Sequence, residues 1–122
     1  MAFEKGRMYS RQEIAAELGG GVQDYMPQKD GRIVCLCLSQ GYEPSERQAA
    51  LVGAGPGVQQ QAEMFCAQAA AVPVFFKEKG HLWEYAGDFS CERWTDDPET
   101  IAEYEESSGR HNLTRVIYLK QA

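Results

Sequence analysis

The residues able to do chemistry in this chain are few and scattered. Four cysteines stand at 35, 37, 66 and 91, and two histidines at 81 and 111. Cys35 and Cys37 lie two apart in Ile33-Val34-Cys35-Leu36-Cys37-Leu38. On a strand that spacing puts both thiols on one face, with Val34, Leu36 and Leu38 on the other. Zinc sites are usually built from C-x₂₋₄-C pairs, and the sequence has none, so reduced, metal-free thiols are the expectation. An imidazole titrates near neutrality and suits acid–base work. Neither His81 nor His111 has a nucleophile elbow or an H-x-x-x-H partner, and a turn histidine reads as a solvated polar residue. Gly53-Ala54-Gly55-Pro56-Gly57 sits where backbone amides and a helix start could meet an anion. The nucleotide-binding P-loop, however, requires G-x-x-x-x-G-K-[ST], and no Lys or Ser/Thr follows. A tight strand-to-helix turn is the favoured reading there. No catalytic set assembles, so a non-enzyme without a cofactor is expected.

Binding chemistry is better represented. Trp83 and Tyr85 are two apart on a predicted strand and share a face. Phe75 and Phe89 are candidates to border it, and Trp94 follows Arg93. Such an aromatic wall beside the Gly87-Asp88 turn can stack a planar base; the same pattern also describes the core of a small barrel. The charges are segregated. The stretch from Cys91 to Glu106 holds seven acids and one base, Arg93, and accounts for the whole net charge of −6. The rest of the chain is neutral, with Lys5, Arg7 and Arg11 clustered near the N-terminus. A broad basic footprint of the kind nucleic-acid binders usually carry is absent, while a local basic face remains open.

The elements that must position these groups follow from local signals. Ser10-Arg11-Gln12-Glu13 is a capping box, with Ile14, Ala15 and Leu18 as an apolar stripe and Gly19-Gly20-Gly21 as a stop, which predicts a helix over 10–18. Residues 32–38 predict a strand buried on both faces. Gln48 to Val52 reads as a strand, with helix a close rival. Val58 to Ala71 predicts the longest helix. Residues 73–77 and 82–86 predict a hairpin around Lys79-Gly80, with 87–93 a possible continuation of its second strand. Pro98 opens a third helix over 98–106, and 113–119 closes the chain as a strand. The 122 residues are enough for one domain, 1–122. No apolar run approaches the ~20 residues of a membrane span, and the opening residues lack the apolar core of a secretory signal. The expectation is a soluble, cytoplasmic α+β domain with a curved mixed sheet or partial barrel and three flanking helices.

Several of these stretches together resemble a family. Gly6-Arg7-Met8-Tyr9-Ser10-Arg11-Gln12-Glu13-Ile14, followed by Leu18-Gly19-Gly20 and Gln23, is similar to the opening of modified-DNA-reading domains attached to HNH restriction nucleases, the sulfur-binding domains among them. Trp83-Glu84-Tyr85-Ala86-Gly87-Asp88 looks like the aromatic-x-Gly turn of the wider PUA/SRA-like folds, which read modified bases or RNA. The similarity touches about half of the chain. It implies a PUA/SRA-like fold and a nucleic-acid partner, DNA or RNA. Candidate contacts are Arg7, Arg11, Gln23 and Tyr25, with Trp83 and Tyr85 as pocket wall. The chain departs from that pattern in carrying no HNH nuclease, so cleavage would need a separate partner, and in lacking further glycine- and aspartate-rich motifs of the sulfur-binding domains.

Two functions from different classes stay open on the sequence: a module that binds nucleic acid and reads a modified base or backbone group, and an interaction or structural subunit using the acidic stretch 92–106 and an apolar face. A basic patch around Lys5, Arg7, Arg11, Arg32 and Arg47 beside an aromatic site would favour the first.

Overall fold

The structure, a computed structural model, describes residues 3–22, 24–38, 49–77 and 80–122. Its elements in chain order are β1 (Met8–Ser10), α1 (Arg11–Leu18), β2 (Gln28–Lys29), β3 (Arg32–Ile33), β4 (Leu36–Leu38), β5 (Ala49–Val52), α2 (Pro56–Gln68), β6 (Val72–Lys77), β7 (Leu82–Thr95), α3 (Pro98–Ser108) and β8 (Arg115–Gln121). Six strands make one mixed sheet in the order β4-β6-β7-β8-β5, with β1 added to β7. The β4–β6 pair is parallel and the others are antiparallel. The sheet curls into a half-barrel flanked by three helices, as the sequence led us to expect. No helix among the described residues is long and apolar enough to cross a membrane.

β7 is the spine of this sheet, and two irregularities bend it. Val74 pairs with Gly87 but Phe75 with Tyr85, which leaves Ala86 as an extra residue. Cys91 pairs with Leu119 and Arg93 with Tyr118, which leaves Glu92 extra. Each bulge bends its strand and adds twist, and each reverses the side-chain alternation beyond it. Trp83 and Tyr85 therefore join one core cluster, while Phe89 lies in the cluster on the opposite face. Phe75 does border the Trp83–Tyr85 face, and Phe89 does not.

Three apolar clusters hold the layers. Ala62 and Phe65 of α2 pack on Leu36, Val74, Phe76 and Ile117 of the sheet. On the other face, Ile14 of α1 sits with Tyr9, Phe75, Trp83 and Tyr85. Beside it, Ile101 and Tyr104 of α3 pack on Ala49, Leu51 and Val116.

The capping box forms: Ser10 Oγ accepts from the Glu13 amide at 3.1 Å, and Glu13 Oε1 accepts from the Ser10 amide at 2.9 Å. α2 starts two residues earlier than its apolar pattern suggests because Pro56 fits the first turn, and it stops at Gln68 because Ala69 turns left-handed (φ 57°). The expected single strand over 32–38 is two. Arg32–Ile33 pairs back on Gln28–Lys29, and Gln68 of α2 brackets Ile33 by accepting from its amide and donating to its carbonyl, both at 2.9 Å. The chain then breaks at 34–35 before β4. That break puts Val34 with Cys35 and Cys37 rather than across from them. β1 and β2 are too short for the sequence pattern to have marked them.

Candidate nucleic-acid interface

Among the described residues the half-barrel stays open, with β4 and β5 as its two end strands. A cavity of about 490 Å³ lies against both, lined by Cys37 and Leu38 of β4 and by Leu51 at β5. The Gly53–Gly57 connection and Val58 and Gln61 of α2 line one side, and Asp24, Tyr25 and Arg110 complete the wall. Its volume and mixture of groups suit a small planar ligand: apolar walls for the faces, and a few polar side chains for the edge. The glycine run is thus a strand-to-helix connection, as its composition indicates, and also part of a pocket wall.

Tyr25 fixes one side of this pocket. Its hydroxyl donates to the Val58 carbonyl at 2.6 Å, tying the loop before β2 to the first turn of α2. Burial pushes its phenol well above the usual range, so it stays a neutral donor. The same loop is held from behind by Arg11. Arg11 Nη2 donates to the carbonyls of Gly21 at 3.1 Å and Asp24 at 2.7 Å, and the guanidinium lies 5.4 Å from the Trp83 ring centre. Val22 and the Asp24–Tyr25 pair therefore face two different recesses. On the far side from Tyr25 is a second cleft, about 650 Å³, lined by Arg11, Gln12, Val22, Lys77, His81 and Trp83.

All four cysteines are free, and among the described residues no group of three or more His, Cys, Asp or Glu could hold a metal. A hydrogen bond between Cys35 and Cys37 holds the proton on Cys35, raising its pKa, and eases its loss from Cys37, lowering that one against the opposing effect of burial. Burial, then a hydrogen bond to Cys66, pushes the Cys91 thiol up to about 12.

The candidate contact residues fall in different places. Arg11 and Trp83 come together in the second cleft, and Tyr25 lines the first pocket. Arg7 is exposed on β1's approach, with its guanidinium 5.5 Å from the Tyr9 ring. Tyr85 is buried under α1, where its hydroxyl donates to Asp88 at 2.5 Å. Gln23 and Arg47 lie outside the described residues. Asp24, Gln61, Arg110 and Lys77 carried no signal of their own. They are far apart in sequence, and only Tyr25 and the Gly53–Gly57 run marked the neighbourhood of the first pocket.

No protein-family model matches the chain, and no curated protein matches it by sequence. Solved structures do match it in shape. One is the SUVH5 SRA complex with hemi-methylated CG DNA, at a TM-score of 0.67 and 15% identity, over 100% of this chain and 90% of that one. Another is KRYPTONITE in complex with mCHG DNA and SAH, at a TM-score of 0.61 and 14% identity, over 98% of this chain but 32% of that one. The curled sheet with its three helices is therefore the fold of an SRA domain.

Proposed function

We propose that the chain is a non-catalytic nucleic-acid-binding module that receives a modified base of DNA in the pocket between β4 and β5. The observation that carries this reading is a pocket with apolar walls and a polar edge, set in the open side of an SRA-type fold. It is supported by the two similar structures, both of which hold methylated DNA. A base in a duplex must leave the stack to enter such a pocket, and there it is read by stacking and by hydrogen bonds to its edge. Tyr25 and Leu51 supply the faces, and Asp24, Gln61 and Arg110 supply the donors and acceptors. Arg7 and Arg11, with Lys5 and Gln23, contact the backbone. Trp83 and Tyr85 serve from beneath: Trp83 pairs with Tyr9 across the sheet, and the Tyr85 amide donates to the Arg7 carbonyl at 3.1 Å. Both thus brace the segment that presents those cations. The module reads and does not cut, and cleavage would fall to another domain or partner.

The test is a binding screen of the whole chain against DNA and RNA, unmodified or bearing methylated and bulkier bases, at two salt concentrations. Tyr25→Ala is expected to reduce discrimination between modified and plain substrate by about 1–3 kcal/mol, the range for losing one base-stacking ring. Gln61→Ala is expected to do the same through its lost hydrogen bond. Absence of binding to every nucleic acid at low salt would overturn the reading in favour of an interaction subunit.

A further inference from the structure

We propose that the cleft between α1, the end of β6 and the start of β7 is a separate anion site that holds a phosphate group of the nucleic-acid backbone. The proposal rests on the nucleic-acid reading above and extends it to a place outside the base pocket. Three observations carry it. First, the described residues that line this 650 Å³ cleft are Arg11, Gln12, Val22, Lys77, His81 and Trp83, so two fixed cations and an imidazole meet no lining carboxylate, in a chain whose net charge is −6. Second, among the described residues those cations meet an aromatic ring and neutral carbonyls rather than carboxylates. Arg11 and Lys77 lie 5.4 and 5.9 Å from the Trp83 ring centre, and the bonds from Arg11 Nη2 go to neutral carbonyls. An aromatic face orients a cation and leaves its full charge for an anion. Third, the buried Nε of Arg11 has no hydrogen-bond partner among the described residues, so the guanidinium is not fully engaged where it stands.

The position explains the choice of ligand. Val22 lines this cleft and Asp24 and Tyr25 line the base pocket, and Arg11 in the one holds the carbonyl of Asp24 in the other, so the two sites adjoin. A strand that delivers a base to one side of this loop runs its backbone past the other. Phosphate contacts of this kind fix register and carry no sequence information.

Trp83 itself supplies the signal for a test. The chain has two tryptophans, and Trp94→Phe leaves Trp83 alone. The whole chain carrying Trp94→Phe is titrated with an abasic phosphodiester oligomer, with inorganic phosphate and with an acidic peptide, while Trp83 emission is followed. The expected result is a saturable change with the abasic oligomer. Lys77→Gln, an exposed side chain whose loss leaves the melting midpoint in place, is expected to weaken it about tenfold, as for one charge-assisted hydrogen bond. The same variant should lower the salt slope of DNA binding by about 0.9. The abasic oligomer offers no base to the pocket, so its loss of binding reports on the phosphate site, whereas a loss confined to discrimination between modified and plain DNA reports on the base pocket. No saturable change, equal affinity in Lys77→Gln, or saturation by inorganic phosphate or the acidic peptide but not the oligomer would each overturn the assignment.

Discussion

Gly20→Ala, compared with Gly6→Ala, measures how rigidly the loop between the two recesses is held. Both glycines have nearly the same left-handed backbone, φ +82° at Gly20 and φ +83° at Gly6. An L-residue costs roughly 1–2 kcal/mol in such a conformation, and alanine recovers about 0.4–1 kcal/mol by stiffening the unfolded chain. These effects are common to both variants and cancel between them. The surroundings differ. A Cβ on Gly6 meets nothing within 4 Å, whereas a Cβ on Gly20 would stand 2.8 Å from Pro27 Cβ and 3.3 Å from the Gln28 carbonyl oxygen. Neither neighbour is the far end of a flexible side chain. Pro27 is buried at the entry to the β2–β3 hairpin, and its carbonyl accepts from Val34 at 2.9 Å. Forcing a methyl into such a contact typically costs about 1–3 kcal/mol, so Gly20→Ala should be the less stable variant by that amount. With an unfolding entropy of about 2.1 cal/mol/K per residue, this separates the two thermal midpoints by roughly 4–12 °C. Melting curves followed by far-UV circular dichroism are sufficient to see it. Coincident midpoints would show that the loop yields freely, and would refute the claim that Arg11 and Pro27 fix it.

Two further outcomes are expected. Ser10→Ala should destabilise the protein by about 1 kcal/mol in urea unfolding, the usual cost of an N-cap acceptor, while Ser10→Thr keeps most of it; an unchanged midpoint for Ser10→Ala would mean that the box contributes nothing. Cys91, with its thiol pushed up to about 12, should hold a thiolate fraction of about 10⁻⁴ at pH 8 against roughly a quarter for an ordinary thiol; alkylation of native protein mapped by mass spectrometry should find it at least about a hundredfold slower than in urea, and equal rates would contradict the burial argument.

Local chemistry was legible in the sequence wherever one short segment decides it. The α1 cap needs only Ser10 and Glu13, and the start of α3 needs only Pro98. What escaped depends on contacts between distant segments. Apolar periodicity over 32–38 reports which side chains are buried and is blind to the bend that Gln68 imposes from 35 residues away. The bulge at Ala86 moves Phe89 to the other face although its spacing from Trp83 and Tyr85 is even, because a strict two-residue alternation assumes an unbroken ladder. The candidate site divides in the same way. Arg11 and Trp83 were legible as a cation and an aromatic, and their juxtaposition follows from the pairing of Tyr9 with Trp83. The pocket joining Asp24, Gln61 and Arg110 has no local signature, since it exists only where the two end strands of the curled sheet approach.

The segregation of charge explains how a chain of net −6 can present an anion site at all. Trp83 stands near the start of β7, and the acidic stretch begins at Glu92, nine residues further on. At a rise of about 3.3 Å per residue that is roughly 30 Å along the strand, shortened by the curl. The screening length at physiological salt is about 8 Å, so the acids act weakly on the cleft. Several of them also have work within the fold. Asp97 accepts from the Thr100 amide at 3.0 Å to cap α3, Glu99 lies in that helix's first turn where a negative charge is favourable, and Glu105 accepts from the Leu113 amide at 3.1 Å. Two arginines near this end are engaged with aromatic faces, Arg93 at 3.9 Å from the Tyr118 ring centre and Arg115 at 3.7 Å from that of Trp94. The acids of α3 thus serve its caps and its outer face, while its apolar side chains Ile101 and Tyr104 hold the helix to the sheet. Net charge, summed over the chain, averages two regions that an approaching polyanion meets separately, and the one that decides binding is the region within a screening length of Arg11 and Lys77.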